Sequence, residues 1–307
     1  MRPTEPLTIE RVRDLWAWAD GERARGRRIA LVPTMGALHE GHLSLVRHAR
    51  RICDAVVVSI FVNPTQFGTG EDLESYPRDL DGDRRKLAAV GCDVVFAPSA
   101  LEIYPEGDCT RVEVGGPSRG LCGRSRPGHF RGVATVVTRL LAAAKPHVAV
   151  FGRKDYQQWI VIRRMARDLC LDVEIVGVPT VREPDGLAMS SRNAYLSPEA
   201  RRQAPQLHAA LLEARRLHQQ GERSATRLAA AVRQRIQKAP LAELDYVEVV
   251  HAETLAPLSR LRAASGAELP ALIAVAARFE EARLIDNIVV GPESDASGGA
   301  GPRPEGP

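Results

Sequence analysis

The stretch Arg28-Ile29-Ala30-Leu31-Val32-Pro33-Thr34-Met35-Gly36-Ala37-Leu38-His39-Glu40-Gly41-His42-Leu43-Ser44-Leu45-Val46 reads as a buried strand turning directly into a helix. Residues 28–32 are a short apolar run of buried-strand type, and Leu43, Val46 and Ala49 fall at helical spacing after Gly41. His39 and His42 therefore stand at or just inside a helix N-terminus. Unpaired backbone N–H groups and the positive end of the helix dipole favour an anion there, and two imidazoles three residues apart can face the same way as further donors. Gly36 and Gly41 are expected to leave room for a ligand to approach the backbone. Two other readings stand beside this one. The histidines could be half of a zinc site, but no cysteine or carboxylate stands at a metal-type spacing beside them, or they could be idle surface residues.

Outward from this stretch, strand-like and helix-like segments alternate through the first 180 residues. Residues 55–62 form an apolar strand, a helix is expected from about Asp79 to Val90, and a strand follows at 93–96. A helix over about 132–144, a strand at 148–151, a helix over about 156–169 and a strand at 173–178 complete the series. Apolar strands separated by amphipathic helices predict an α/β fold with a Rossmann-like parallel sheet, its ligand lying beyond the carboxyl ends of the strands. After Val181 the pattern changes. Ser197-Pro198-Glu199 reads as an N-cap followed by proline, opening a long helix that stops near Gly221. A second helix over about 224–238 and strands at 246–250, 272–276 and 284–290 follow, the last two spaced to pair antiparallel. The expected organisation is a ligand-binding domain over 1–183, a small helix-plus-antiparallel-sheet domain over 184–291 that could act as a lid, and a disordered tail over 292–307, rich in Gly, Pro and Ser.

Composition narrows the class. With 44% apolar and 26% charged residues, and no apolar run long enough to span a bilayer, the 307-residue chain reads as a soluble globular protein with no membrane partner. A net charge of +4 gives little support to nucleic-acid binding. Five scattered cysteines without a Cys-x-x-Cys pair suit reduced thiols, so a cytoplasmic location is expected. Lysine occurs only at 86, 145, 154 and 238. A lysine at a functional position is thus less readily put down to background usage.

Four further segments fall at strand ends. In Phe61-Val62-Asn63-Pro64-Thr65-Gln66-Phe67, Asn63 and Gln66 offer neutral amides for a hydroxyl or carboxylate, although Asn before Pro is also ordinary turn chemistry. In Phe151-Gly152-Arg153-Lys154-Asp155-Tyr156-Gln157-Gln158, Lys154 suits phosphate oxygens, Asp155 a helix cap or a ribose hydroxyl, and Gln158 lies one turn on along the same side. Met189-Ser190-Ser191-Arg192-Asn193 could clamp a triphosphate. Gly128-His129-Phe130-Arg131-Gly132 precedes a helix and could line the same pocket.

Taken in order, PTMGALHEGH, FVNPTQF, GHFRGV, FGRKDYQQ and VPTVREPDGLAMSSRN closely resemble the pantothenate synthetase, or pantoate-beta-alanine ligase, family over roughly residues 28–290. The two ends of this set look like the HIGH and KMSKS signatures of the wider nucleotidyltransferase group. The resemblance implies ATP-dependent ligation of pantoate and beta-alanine through a pantoyl adenylate, with magnesium, in a homodimer. It implies that Met35, Gly36, Ala37, Leu38, His39, Glu40, Gly41 and His42 embrace ATP, together with Gly152, Arg153, Lys154, Asp155, Val181, Met189, Ser190, Ser191 and Arg192. His42 would be the proton donor, with His39 and Lys154 beside it in catalysis. Gln66 would touch pantoate and beta-alanine and Gln158 pantoate, with Asn63 and His129 lining the same pocket. Gly82 stands where relatives often carry an acidic residue associated with magnesium, so Asp81 or Asp83 is left as the candidate ligand. Two rivals remain at this stage: a nucleotidyltransferase with another acceptor, against which Gln66 and Gln158 speak, and a nucleotide-sensing or RNA-binding module without catalysis.

Overall fold

The computed structural model describes residues 5–68 and 70–292, so the expected tail beyond Pro292 lies outside the described residues. The first part of the chain runs β1 (Leu7–Ile9), α1 (Val12–Ala24), β2 (Ile29–Thr34), α2 (Glu40–Ile52), β3 (Ala55–Ile60), α3 (Leu80–Ala89), β4 (Val94–Phe96) and α4 (Ala100–Ile103). It continues through α5 (Cys122–Ser125), α6 (His129–Ala144), β5 (Val148–Gly152), α7 (Tyr156–Asp168) and β6 (Glu174–Val178). The strands form one six-stranded sheet in the order β1-β4-β3-β2-β5-β6, every pair parallel. Alternate residues of each strand enter opposite cores, because successive side chains point to opposite faces. Leu31, Val57 and Ala149 join the cluster under α1, α6 and α7. Val32, Val56 and Val150 join the cluster under α2.

The sheet order puts the ligand crevice where the sequence placed its motifs. β2 is flanked by β3 on one side and β5 on the other, and the chain leaves β2 and β5 in opposite directions across the sheet. At such a switch point the loops after the two strands diverge and open a crevice at their carboxyl ends. The loop after β2 carries His39 and His42; the turn after β5 carries Lys154.

The second part contains α8 (Pro198–Gln203), α9 (Gln206–Gln219), α10 (Ala225–Ile236), β7 (Ala242–His251), β8 (Ala271–Phe279) and β9 (Ala282–Val290), with an antiparallel sheet ordered β7-β8-β9. One face of β8, Leu272, Ala274 and Ala276, joins the core of the parallel-sheet domain. Its other face, Ala271, Ile273, Val275 and Ala277, packs under α9 and α10. A closing motion of this unit has to keep or break those shared apolar contacts.

Several elements differ from expectation, the short helices α4 and α5 among them. The single helix from Ser197 to Gly221 is two, because Pro205 has no N–H with which to continue the ladder. α6 begins at His129, so GHFRG lies within its first turn and does not precede it. β1 and α1 have no counterpart in the sequence reading. β1 is three residues long, and α1 buries Glu22 alongside Leu15 and Ala19, which hides its apolar stripe. Arg25 and Arg27 neutralise that carboxylate at 2.8 and 2.7 Å.

Candidate active site

The loop from β2 to α2 passes through two left-handed residues, Gly36 at φ 82° and Ala37 at φ 50°, and delivers His39 as the helix N-cap. His39 Nδ1 accepts the Gly41 N–H at 3.1 Å, and His42 Nδ1 accepts the His39 N–H at 3.4 Å. The ring centroids are 4.1 Å apart. Because each Nδ1 is an acceptor, each ring carries its proton on Nε2 and presents a neutral donor. On the Cβ side both glycines are crowded by the protein's own side chains. A Cβ on Gly41 would stand 2.7 Å from His39 Cε1, and one on Gly36 3.0 Å from Ile60 Cγ2, so the space they free is filled by the protein itself.

Burial, with the Lys154 charge behind it, lowers His39 to about 4. Burial, then His39 and Lys154, lower His42 to about 3. Both rings are therefore neutral at physiological pH. His129 is also held down at about 4, by burial and then by Arg126. For each of these bases the folded state resists protonation that the unfolded chain accepts near 6.5, so stability is complete above pH 6.5 and drains away toward pH 4. The urea midpoint should fall across that window, and fall less steeply in His129→Gln. Equal slopes in the two proteins would show that His129 carries no such linkage.

The turn after β3 supplies the amides. Asn63 caps it, and its own groups are all engaged: Oδ1 accepts from Tyr104 Oη at 2.7 Å and Thr65 Oγ1 at 3.0 Å, while Nδ2 donates to Gln66 Oε1 at 3.1 Å and to the Gly132 carbonyl at 3.3 Å. Asn63 thus orients Gln66, whose Nε2 is left against the weak acceptor Met35 Sδ at 2.9 Å. His129 is likewise occupied, its Nδ1 donating to the Gln66 carbonyl at 2.9 Å and its Nε2 facing Arg126 at 3.1 Å. Gly132 lets α6 approach this turn: a Cβ there would sit 2.2 Å from the Thr65 carbonyl oxygen. Gly132→Ala should push the turn off α6 and displace Gln66, raising about tenfold the KM of whichever substrate meets that amide in the cleft, as loss of one good hydrogen bond would. Steady-state kinetics check this, and an unchanged KM would mean that the turn yields without moving Gln66.

After β5, a 3-10 turn at 153–155 carries Lys154 and Asp155 into α7. Asp155 occupies the N-cap position of α7 but its carboxylate makes no cap, which leaves the alternative of a ligand hydroxyl. Arg153 turns away: its Nε donates to the Gly177 carbonyl at 3.0 Å and its guanidinium lies over Trp159. The two adjacent glutamines divide. Gln157 is buried and ties down the Pro117 and Gly120 carbonyls, whereas Gln158 faces the cleft. From β9, Asn287 Nδ2 holds the Arg153 and Lys154 carbonyls at 3.0 and 2.8 Å.

These segments enclose two joined chambers. One, of about 220 Å³, is lined by Met35, His39, Gly41, His42, Asn63, Gln66, Gly152, Val181, Met189 and Ser191. The other, of about 640 Å³, opens toward β8 and β9. They share Arg126, His129, Lys154, Asp155, Gln158, Ser190 and Arg192. Gly36, Ala37, Leu38, Glu40 and Arg153 lie outside the linings of both. Arg192 is paired in a fork with Asp72, at 3.0 and 2.8 Å, so a triphosphate would have to compete with that carboxylate.

Neither magnesium candidate fits. Asp81 is exposed and sits 3.8 Å from Arg84, and Asp83 is fully buried beneath the histidine loop, with Oδ1 taken by the Leu38 N–H. Among the described residues no three His, Cys, Asp or Glu side chains could together hold a metal. Sequence reading missed Arg126, Asp72, Tyr76 and Asn287. Arg126 stands beside the GHF motif and was open to detection there; the others reach the site over long chain separations that leave no local pattern.

A profile of the Pantoate-beta-alanine ligase family matches residues 7–289. The chain is 55% identical to the pantothenate synthetase of Myxococcus xanthus over 95% of its own length and 98% of that protein. It is 54% identical to that of Heliobacterium modesticaldum over 92% and 98%. Among solved structures, pantothenate synthetase from Thermus thermophilus superposes with a TM-score of 0.85 at 52% identity, covering 92% of this chain and 98% of that one. The Francisella tularensis pantoate-beta-alanine ligase, complexed with beta-gamma ATP and beta-alanine, gives 0.74 at 32% identity, covering 94% and 100%.

Proposed function

The chain belongs to the pantoate-beta-alanine ligase family, and on that premise we propose that it joins pantoate to beta-alanine through a pantoyl adenylate, consuming ATP and releasing pyrophosphate and AMP. The observation that carries this reading is the convergence, at one switch point, of two neutral Nε2–H donors, the Lys154 ammonium and two cleft-facing amides. The relative crystallised with an ATP compound and beta-alanine points to the same ligands.

In the first step one oxygen of the pantoate carboxylate attacks the α-phosphorus in line, and the bond to the bridging oxygen of pyrophosphate breaks. Gln66 Nε2 and Gln158 hold and aim the acid. Charge builds on the phosphoryl oxygens and on the departing pyrophosphate, where the Nε2–H groups of His39 and His42 and the Lys154 ammonium would stabilise it. Arg192 and Ser191 reach the triphosphate once Asp72 gives way. In the second step the beta-alanine amine attacks the acyl carbonyl and AMP departs. The protein contributes position and fixed dipoles, with no covalent intermediate of its own. The proposal includes a cytoplasmic homodimer, supported by the resemblance and by five free thiols, and sedimentation tests the dimer.

The experiment is to follow AMP and pyrophosphate with pantoate, beta-alanine or both. Sustained AMP release should need both acids, while exchange of labelled pyrophosphate into ATP should need pantoate alone. Nucleotide binding with no pantoate-dependent exchange would return the chain to the non-catalytic reading.

A further inference from the structure

Helix α3 reaches the histidine loop from beneath, on the side away from both chambers. Asp83 is fully buried; its Oδ1 accepts the Leu38 N–H at 2.8 Å and faces Lys86 Nζ at 3.4 Å. Lys86 Nζ donates to the Leu38 carbonyl at 2.8 Å. One turn of helix thus secures both backbone polar groups of a single residue, through two side chains at i and i+3. Leu38 is itself buried and belongs to no strand or helix, so without these partners its N–H and C=O would lie unpaired inside the protein.

The place of this clamp gives it consequence. Immediately before Leu38 the chain holds Gly36 and Ala37 in the left-handed region, which costs a non-glycine residue about 1 kcal/mol. Immediately after it stands His39, the N-cap whose backbone N–H fixes the ring of His42. A strained loop leading directly into two catalytic donors keeps one geometry only if something outside the loop determines it. Lys86 is one of four lysines in the chain, and it and Lys154 are the two that bear on the histidines. The buried Oδ2 of Asp83 lies close beneath Gly36, where a Cβ would meet it at 3.2 Å, and the residue lines neither chamber.

We propose that Asp83 and Lys86 are positioning residues for the His39–His42 donor pair: by holding the Leu38 N–H and C=O they set the angle at which the first turn of α2 presents both Nε2–H groups. This rests on the reaction assigned under Proposed function, and it gives Asp83 a role other than metal ligation. Both side chains act through the backbone of Leu38, so removing either should slow the chemical step without weakening the binding of ATP.

The test compares Lys86→Met, Lys86→Arg, Asp83→Ala and Asp83→Asn with the unaltered chain, in two measurements. In steady-state kinetics Lys86→Met should lose about 100-fold in kcat, the scale set by misplacing a reacting group by an ångström. Its KM for ATP and pantoate should stay within about twofold, a shift too small to count as lost binding. Asp83→Asn, which keeps an acceptor for Leu38, should be far milder than Asp83→Ala, and Lys86→Arg should recover part of the loss. In nitrogen-15 spectra of histidine-labelled protein without substrates, His39 and His42 should each show a protonated Nε2 and bare Nδ1, and Lys86→Met should mix the tautomers. Wild-type kcat and unchanged ring signals in Lys86→Met would overturn the proposal. So would a raised magnesium requirement in Asp83→Asn, relieved by excess magnesium, with Lys86→Met normal, since that is the behaviour of a metal ligand. If the unaltered chain forms no AMP, the assigned reaction fails, and the ring spectra alone decide the clamp.

Discussion

Replacing His42 with alanine should lower the rate of the proposed adenylate formation by two or more orders of magnitude while the fold is retained, with pantoate-dependent pyrophosphate exchange as the measurement. The magnitude follows from the loss of one preorganised donor aimed at developing phosphoryl charge, which costs about 10²- to 10³-fold. Stability suffers little by comparison, because the side chain's structural contribution is a long 3.4 Å cap on the His39 N–H, and losing a cap costs about 1 kcal/mol. The neutral state of the ring adds a discriminating variant. With His42 lowered to about 3 in the ligand-free protein, by burial first and then by His39, the side chain presents its Nε2–H as a neutral hydrogen-bond donor. His42→Gln keeps a neutral N–H near the Nε2 position and should recover about tenfold over alanine, the worth of a hydrogen bond to a charged group. Near-normal exchange in the alanine variant would remove His42 from its role. A glutamine no better than alanine would mean that the step needs a transferable proton.

The second large effect is at Lys154. Its side chain is 22% exposed and its carboxylate neighbour Asp155 stands 3.7 Å away, too far for a short ion pair, so the ammonium is available to a phosphate. Lys154→Met should reduce kcat/KM for ATP by about 10²- to 10³-fold, as for removal of another transition-state charge partner. A further consequence separates this residue from a passive lining group. Lys154 helps to hold both His39 and His42 down, so its removal raises both. The neutral donor form of each ring would then be lost at a higher pH, and the acid limb of the rate profile should move upward in Lys154→Met. An acid limb at its original pH, or a loss confined to KM for pantoate, would contradict the assignment.

How much of this was legible in the chain can be traced residue by residue. The alternation of apolar strands with helices was plain because β2, β3 and β5 are buried on both faces and so read as runs dominated by Val, Ile, Leu and Ala. The motifs at their carboxyl ends came out together because the parallel sheet brings them to one edge. What escaped was of two kinds. Local exceptions defeat periodicity: Glu22 buried among apolar neighbours in α1, and Pro205 inside an otherwise continuous helical pattern. Long-range pairings leave no local trace, as with Arg192 and Asp72, 120 residues apart, or Arg182 and the buried Asp286, 104 apart. The site residues divide the same way. Asn63, His129 and Asp83 carry residue types suited to ligands and stand at strand or helix ends, yet their polar groups largely serve the loops that present Gln66, His39 and His42.

The same division sets what each substitution can report. His42, Lys154 and Gln66 face the cleft, so changes there read directly on substrates. Asn63, Gly132 and the α3 pair read through the geometry of those three. The two shared faces of β8 place the antiparallel unit in both cores, so the second chamber, lined by Arg283 and Asn287, is bounded by well-packed structure on its far side.

The central claim is that a carboxylate oxygen of the small acid attacks the α-phosphorus of ATP in this cleft. Pantoate labelled with oxygen-18 in its carboxylate tests it most directly, because the attacking oxygen remains on phosphorus when the amine cleaves the acyl–oxygen bond. After turnover with ATP and beta-alanine, AMP should carry one atom of the label. AMP free of label, or label found in inorganic phosphate with ADP as the nucleotide product, would contradict the account.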